Sequence, residues 1–343
     1  MKNKLLSTTA LIGLVSFISS PVLADVSITG GMEFTYTSQD KGDAAVTGAS
    51  DDYFSSDQDV LIAFTNKTEN GLTVGMYASM DASGANDAST SSAFSMDETY
   101  ITVEGGFGLI QLGGKEGVGE QFTPTASDLI GPDGTDDNAP TFYSSTGSLG
   151  TQQASLINAI DDENNITYIL PKMGGLTIGA SYKDAGAGAA ENADETVIAA
   201  KYEFTSGTVK GSLHYANNSI SGATAGAGSI NSSAMGITLL SGPVTFIYAH
   251  AEDDQSTTIE TEANDYGMSY QVNDALTLAV TGTEITESTG GESLDVTSVA
   301  LNYNITSGLD AYLTYHDYDY KAGTSGATSD DGSVTAITLA ATF

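Results

Sequence analysis

Residues 116–147 read EGVGEQFTPTASDLIGPDGTDDNAPTFYSSTG, the core of a stretch from Lys115 to Glu163 with no sustained hydrophobic period of either kind. The stretch is about 49 residues long and rich in Gly, Pro, Asp, Ser and Thr. Connections of that length inside an ordered protein are either functional or disordered. What it connects decides between the two. On both sides lie short segments of alternating apolar and polar residues, each closed by turn signals.

The alternation is plain on either side of Ser206-Gly207. Ile198, Ala200, Tyr202 and Phe204 share one face while Lys201 and Glu203 share the other; after the turn Val209, Leu213 and Tyr215 oppose Lys210, Ser212 and His214. A period of two marks strands with one apolar face. Before the long stretch such segments fall near Val26–Thr37, Gln58–Lys67, Leu72–Met80, Met96–Glu104 and Gly108–Gly114. After it they fall near Asn164–Pro171, Leu176–Lys183, Glu195–Phe204, Thr208–Ala216, Ala234–Leu240, Val244–Glu252, Asp265–Val272, Leu276–Glu284, Val296–Ile305, Leu309–Tyr318 and Val334–Phe343. Tight turns such as Asn70-Gly71 and Ser241-Gly242 alternate with long polar connections.

An even count of sixteen strands, with short turns at one rim and long loops at the other, predicts an all-β fold: a transmembrane antiparallel β-barrel. At this strand number the interior is an aqueous lumen rather than a filled core. The long stretch is then the third loop, expected to fold into the lumen and narrow it. Tyr36, Tyr168, Tyr182, Tyr202, Tyr215, Tyr270, Tyr303 and Tyr315 stand near strand ends on apolar faces, as an interfacial girdle requires.

Composition agrees. The 343 residues contain 10 basic side chains, all Lys, against 44 Asp and Glu, a formal charge of −34. Phosphate backbones need cationic partners, so nucleic acid is excluded. Cysteine is absent, which removes disulfides and thiolate sites. Residues 1–24 read as a secretory signal peptide: Lys2 and Lys4, a short apolar run, then Val22 and Ala24 before a cut at Asp25. No later segment reaches the roughly 18 apolar residues of a membrane helix, so a membrane form must span as a closed barrel. The expected organisation is a signal peptide, 1–24, and one barrel, 25–343.

The C-terminal SVTAITLAATF resembles the last strand of Gram-negative outer-membrane proteins, which end on a Phe, here Phe343, read by the barrel-assembly machinery. Glu98–Gly117, ETYITVEGGFGLIQLGGKEG, is similar to the segment of general diffusion porins that leads into the constriction loop, and ADVSITGGMEFTY is similar to their first strand. The resemblance, closest in style to alphaproteobacterial porins, implies a homotrimer in the outer membrane, in contact with its lipids, that passes ions and small hydrophilic solutes by passive diffusion. It also implies a cluster of Arg facing the loop acids across the pore, and this sequence has no Arg.

The constriction is therefore expected to be acidic. Asp128, Asp133, Asp136 and Asp137 lie on the loop and Glu33 and Asp59 on the inner wall, while Lys67 and Lys115 supply a sparse positive side. Lys183, Lys201, Lys210 and His214 are further wall candidates. Charged rings at the narrowest point set ion preference, here for cations. A sugar- or nutrient-selective channel and a non-conducting structural or adhesive barrel are the alternatives. Catalysis finds no set: His214, His250 and His316 lie on separate strands, and Gly113-Gly114-Lys115 lacks the remaining residues of a phosphate loop. No cofactor is required. Clustered carboxylates such as Asp161, Asp162 and Glu163 suit calcium as a ligand.

Overall fold

A computed structural model describes residues 25–41, 52–81, 84–85, 95–132, 160, 163–184, 194–221, 230–256, 259–288, 290–323 and 329–343. Its barrel strands are β1 (Asp25–Lys41), β2 (Asp52–Lys67), β3 (Thr73–Asp81), β4 (Ser95–Gly105), β5 (Gly108–Gly114), β6 (Asn164–Ile169), β7 (Leu176–Lys183) and β8 (Asp194–Ser206). The second half comprises β9 (Val209–Ser221), β10 (Ile230–Ser241), β11 (Val244–Ser256), β12 (Ile259–Asn273), β13 (Leu276–Glu287), β14 (Ser293–Thr306), β15 (Leu309–Lys321) and β16 (Asp330–Thr342). Each pairs antiparallel with its neighbours in sequence, and a two-residue accessory strand, Gly84–Ala85, adds to β2. β1 closes the barrel on β16, from Gly31 opposite Thr342 to Lys41 opposite Gly332. The Phe343 amide adds a bond to the Gly30 carbonyl at 2.9 Å. Closure leaves no sheet edge to be satisfied by solvent, which is what a strand-built span of a bilayer requires. Among the described residues no helix is long and apolar enough to cross a membrane.

The tight turns work as their residues predict. Gly207 and Gly242 sit at φ of 60° and 58°, a region costly for other side chains, and so let adjacent strands reverse in two residues. The outer face carries Val26, Ile28, Phe34, Ile198, Leu213, Val299, Ile337 and Leu339, all well exposed. In water this surface would be a liability; against hydrocarbon it is the stable arrangement. Tyr168, Tyr202, Tyr270 and Tyr303 stand on it near the tight turns, and Tyr182 nearer the long loops.

All sixteen segments expected from the alternation are strands, but several run further toward the long loops. The second begins at Asp52 rather than Gln58, the tenth at Ile230 rather than Ala234, and the twelfth at Ile259 rather than Asp265. The cause is that the outward positions there turn polar or acidic: Ser56 on β2, Asn231 and Ser233 on β10, Glu260 and Glu262 on β12. Backbone pairing continues above the apolar band after the apolar pattern has stopped.

Candidate pore constriction

The third loop leaves β5 and crosses the inner wall as a strap, described over residues 115–132. Its root is fastened first. Lys115 donates to Glu98 at 2.9 Å and to Glu116 at 2.5 Å, and its ammonium lies 5.0 Å from the centroid of the Tyr100 ring. Tyr100 stacks in turn on Tyr77, centroids 4.8 Å apart. Burial alone would pull the Lys115 ammonium down, but bonding to Glu116 and Glu98 outweighs it and holds it above the ordinary lysine range. Burial likewise favours a neutral Glu116, but bonds to Glu98 and Lys115 prevail and hold its carboxyl below the usual range. Lys115 thus stays charged and is locally neutralised. The Asn165 amide caps the Lys115 carbonyl, and the Gly117 amide donates to the Ile160 carbonyl at 2.8 Å, drawing the outgoing and returning chains together.

Beyond the root lies a short helix, α1 (Val118–Phe122), and then a 3-10 turn, Ser127–Leu129. The Val118 amide donates to Ser181 Oγ at 2.9 Å. Val118, Phe122 and Ile160 pack on Val197, Ala199 and Ala216, inward residues of β8 and β9. Further along, the Ala126 amide donates to the Asp265 carboxylate, whose other oxygen accepts the Thr283 hydroxyl at 2.9 Å. Asn302 donates to the Leu129 carbonyl at 3.2 Å, and Ile130 packs on Ala279 and Ala300. Gly131 ends this course against the Tyr312 ring on β15.

The wall is recessed to receive the strap. A Cβ at Gly179 on β7 would lie 2.6 Å from Val118 Cγ1; one at Gly236 on β10, 3.4 Å from Pro124; one at Gly267 on β12, 3.0 Å from Ala126 and Leu129. Isolated glycines inside strands mark close backbone approach, and these three line up under the strap. Together with Asp265, Ser181 and Asn302 they are the functional residues that a search for charge passes over. The signal was present in the sequence as glycine within otherwise alternating strands.

The strap leaves the inner wall of β16 and β1–β4 facing it. There Glu33 stands in register with Asp57, and Asp59 with Asp81. Carboxylate oxygens of Asp57, Asp59 and Asp81 lie within 4.8 Å of one another. Glu33 and Asp59 are thus joined by Asp57 and Asp81, which the sequence alone did not single out although Asp57 shares a face with Asp59. Asp128 is exposed on the strap, one oxygen accepting the Thr125 amide at 3.2 Å. Asp133, Asp136 and Asp137 lie outside the described residues.

Of the expected cations, Lys67 stands at the tight-turn end of β2, opposite Thr73, at the rim. Lys183 is held at the loop end of β7 by Glu163 and, at 3.0 Å, by Glu195. Of the expected calcium trio, Asp161 and Asp162 lie outside the described residues and Glu163 is engaged by Lys183. His214 is buried beneath the strap, its Nε2 2.6 Å from Ser212 Oγ. Lys201 lies beside it in register, and Lys210 is exposed nearer the tight turn. Phe343 sits at the closing seam of the barrel.

A closed barrel with an apolar exterior and an inward strap of this kind defines a membrane channel. The family model for Gram-negative porins matches residues 7–323, and the chain belongs to that family. It is an integral outer-membrane channel protein, of a family whose members are not enzymes. Among solved structures, the anion-selective porin of Comamonas acidovorans aligns over 93% of this chain and 100% of its own, with 16% identity and a TM-score of 0.62. A loop-deletion form of OmpT from Vibrio cholerae aligns over 94% and 100%, with 13% identity and a TM-score of 0.64. A mutant porin of Rhodopseudomonas blastica aligns over 93% and 100%, with 14% identity and a TM-score of 0.61. Comparison with curated protein sequences gave no match. At these identities the structures share the fold, while the charges of the lumen are this chain's own.

Proposed function

We propose that the protein is a cation-preferring diffusion pore for ions and small hydrophilic solutes, acting as a homotrimer after removal of residues 1–24, with Phe343 as its assembly signal. The observation that carries the reading is the sign of the wall facing the strap. Glu33, Asp57, Asp59 and Asp81 share it, and among its described side chains the one cation is Lys67, at the rim. Lys115, the cation at the strap's root, is neutralised by Glu98 and Glu116. Four carboxylates along a narrow passage with low-dielectric walls concentrate cations and exclude anions, most strongly when the Debye length exceeds the pore radius. The Comamonas acidovorans porin is described as anion-selective, and a common barrel with a differently charged lumen accommodates both. A solved trimer form of the Vibrio cholerae OmpT supports the trimer.

Reversal potentials across planar bilayers under a KCl gradient test the reading. The wild-type potential should have the cation-selective sign and grow as salt is lowered. Asp57→Asn, Asp59→Asn and Asp81→Asn combined should move it most of the way to zero. Anion selectivity in the wild type would refute the proposal. Lys115→Met, which leaves Glu98 and Glu116 uncompensated, should shift the potential further in the cation direction.

A further inference from the structure

A cavity of about 540 Å³ opens on the tight-turn side of the strap, the side that faces the periplasm in barrels of this kind. Its strap side includes Glu120 and Asp128, and its wall side includes Lys201, Ser212, His214 and Thr238. The volume falls in the range of roughly 300–1,000 Å³ typical of small-ligand sites. Glu203, two residues from Lys201 along the same face, is engaged by Lys172, and Lys201 itself makes no ion pair with any described residue. Of the inward ammonium groups without an ion pair among the described residues, Lys67 stands at the rim and Lys210 nearer the tight turn, whereas Lys201 stands where two strap carboxylates border the same space.

We infer that this cavity is a binding subsite for small zwitterionic solutes of the α-amino acid class. The solute's ammonium is received by Asp128, with Glu120 bordering the same space, and its carboxylate by Lys201. The inference goes beyond the diffusion reading and rests on it only for access to the lumen. The charge arithmetic favours the class. A free anion is repelled by the acidic passage before it reaches Lys201. A simple cation gains the strap carboxylates but meets Lys201 as a like charge. A solute carrying both signs satisfies both sides, and charge-assisted hydrogen bonds at each end are the strong kind. The hydroxyls of Thr123, Thr125, Ser127, Ser212 and Thr238 line the remainder and suit a polar side chain.

Calorimetric titration of the detergent-solubilised full-length protein with L-glutamine, in low salt, reads the site without depending on conduction. Saturable binding at millimolar concentration is expected, with glutamine amide (ammonium only) and N-acetylglutamine (carboxylate only) at least ten-fold weaker. Lys201→Gln should weaken glutamine binding about ten-fold and Lys201→Arg should restore it; Asp128→Asn should weaken it several-fold. Absence of binding by the wild type, an unchanged affinity in Lys201→Gln, or equal binding of the ammonium-only analogue would each overturn the inference. KCl conductance recorded on the same preparation reports on the pore separately, so a channel that conducts without binding glutamine is told apart from one that binds without conducting.

Discussion

Asp265→Ala should leave the barrel folded and release the middle of the strap, seen as open-channel current noise several-fold above wild type. Asp265 is 3% exposed, on an inward position of β12. One oxygen takes the Ala126 amide at the start of the 3-10 turn and the other takes the Thr283 hydroxyl. Alanine leaves both donors without their acceptor in a buried place, at about 1–3 kcal/mol for each unsatisfied group. The strap answers by leaving the wall there, since the 3-10 turn is too short to hold its own amides. Bonds on either side, Val118 to Ser181 and Gln121 to Gln111 before it and Asn302 to Leu129 after it, keep the ends in place. The span between them therefore fluctuates rather than detaching. Asp265→Asn keeps one acceptor but turns an NH₂ toward one of the two donors, so it should fall between wild type and alanine. Noise equal to wild type in the alanine variant, with the trimer intact, would show that packing on Gly267 suffices to seat the strap.

The architecture was legible because barrel strands state their pattern in every hairpin. Ile198, Ala200, Tyr202 and Phe204 against Lys201 and Glu203 read the same in sequence and in structure. The turn-side strand ends were legible for a second reason: Ser-Gly and Asn-Gly pairs fix reversal locally. The loop-side ends were not, because Asn231, Ser233, Glu260 and Glu262 replace the apolar residues while pairing continues. At the site, sign was easier to read than place. Glu33 and Asp59 stand on the wall facing the strap, but Lys67, equally inward by parity, sits at the rim, because parity fixes the face and says nothing of height. Lys115 was expected as a positive wall; its neutralisation depends on Glu98, seventeen positions away along the chain, brought alongside by the β4–β5 hairpin. The seat of the strap depends on contacts between Val118 and Gly179, or Ala126 and Asp265, that only the closed barrel creates. No local pattern encodes those partners, although the wall glycines mark where something must approach.

Those glycines give the opposite perturbation. Gly179→Leu should push the strap off the wall instead of loosening it, lowering single-channel conductance several-fold while ion preference keeps its sign. A Cβ at Gly179 would stand 2.6 Å from Val118 Cγ1 and 3.3 Å from Ile169 Cγ1, below ordinary contact. Val118 is fully buried and belongs to a helix whose other anchor, Phe122, packs on the same wall. Its methyl has no room to turn aside, so the strain passes to the helix. Overpacking of this kind costs about 1–3 kcal/mol. The hydrogen-bonded ladder of β7 with β8 resists it with every residue from Leu176 to Lys183 paired, whereas α1 is held to the wall by two side-chain bonds, Val118 to Ser181 and Gln121 to Gln111, and by its apolar Val118 and Phe122. The helix yields, and the only free direction is toward the carboxylates of β1–β4. The passage narrows without changing the groups that line its far side, which is why conductance falls and selectivity does not reverse. Gly179→Ala, which adds the Cβ alone, should show a smaller drop of the same sign. A Gly179→Leu channel with wild-type conductance would mean that the strap does not border the path the ions take.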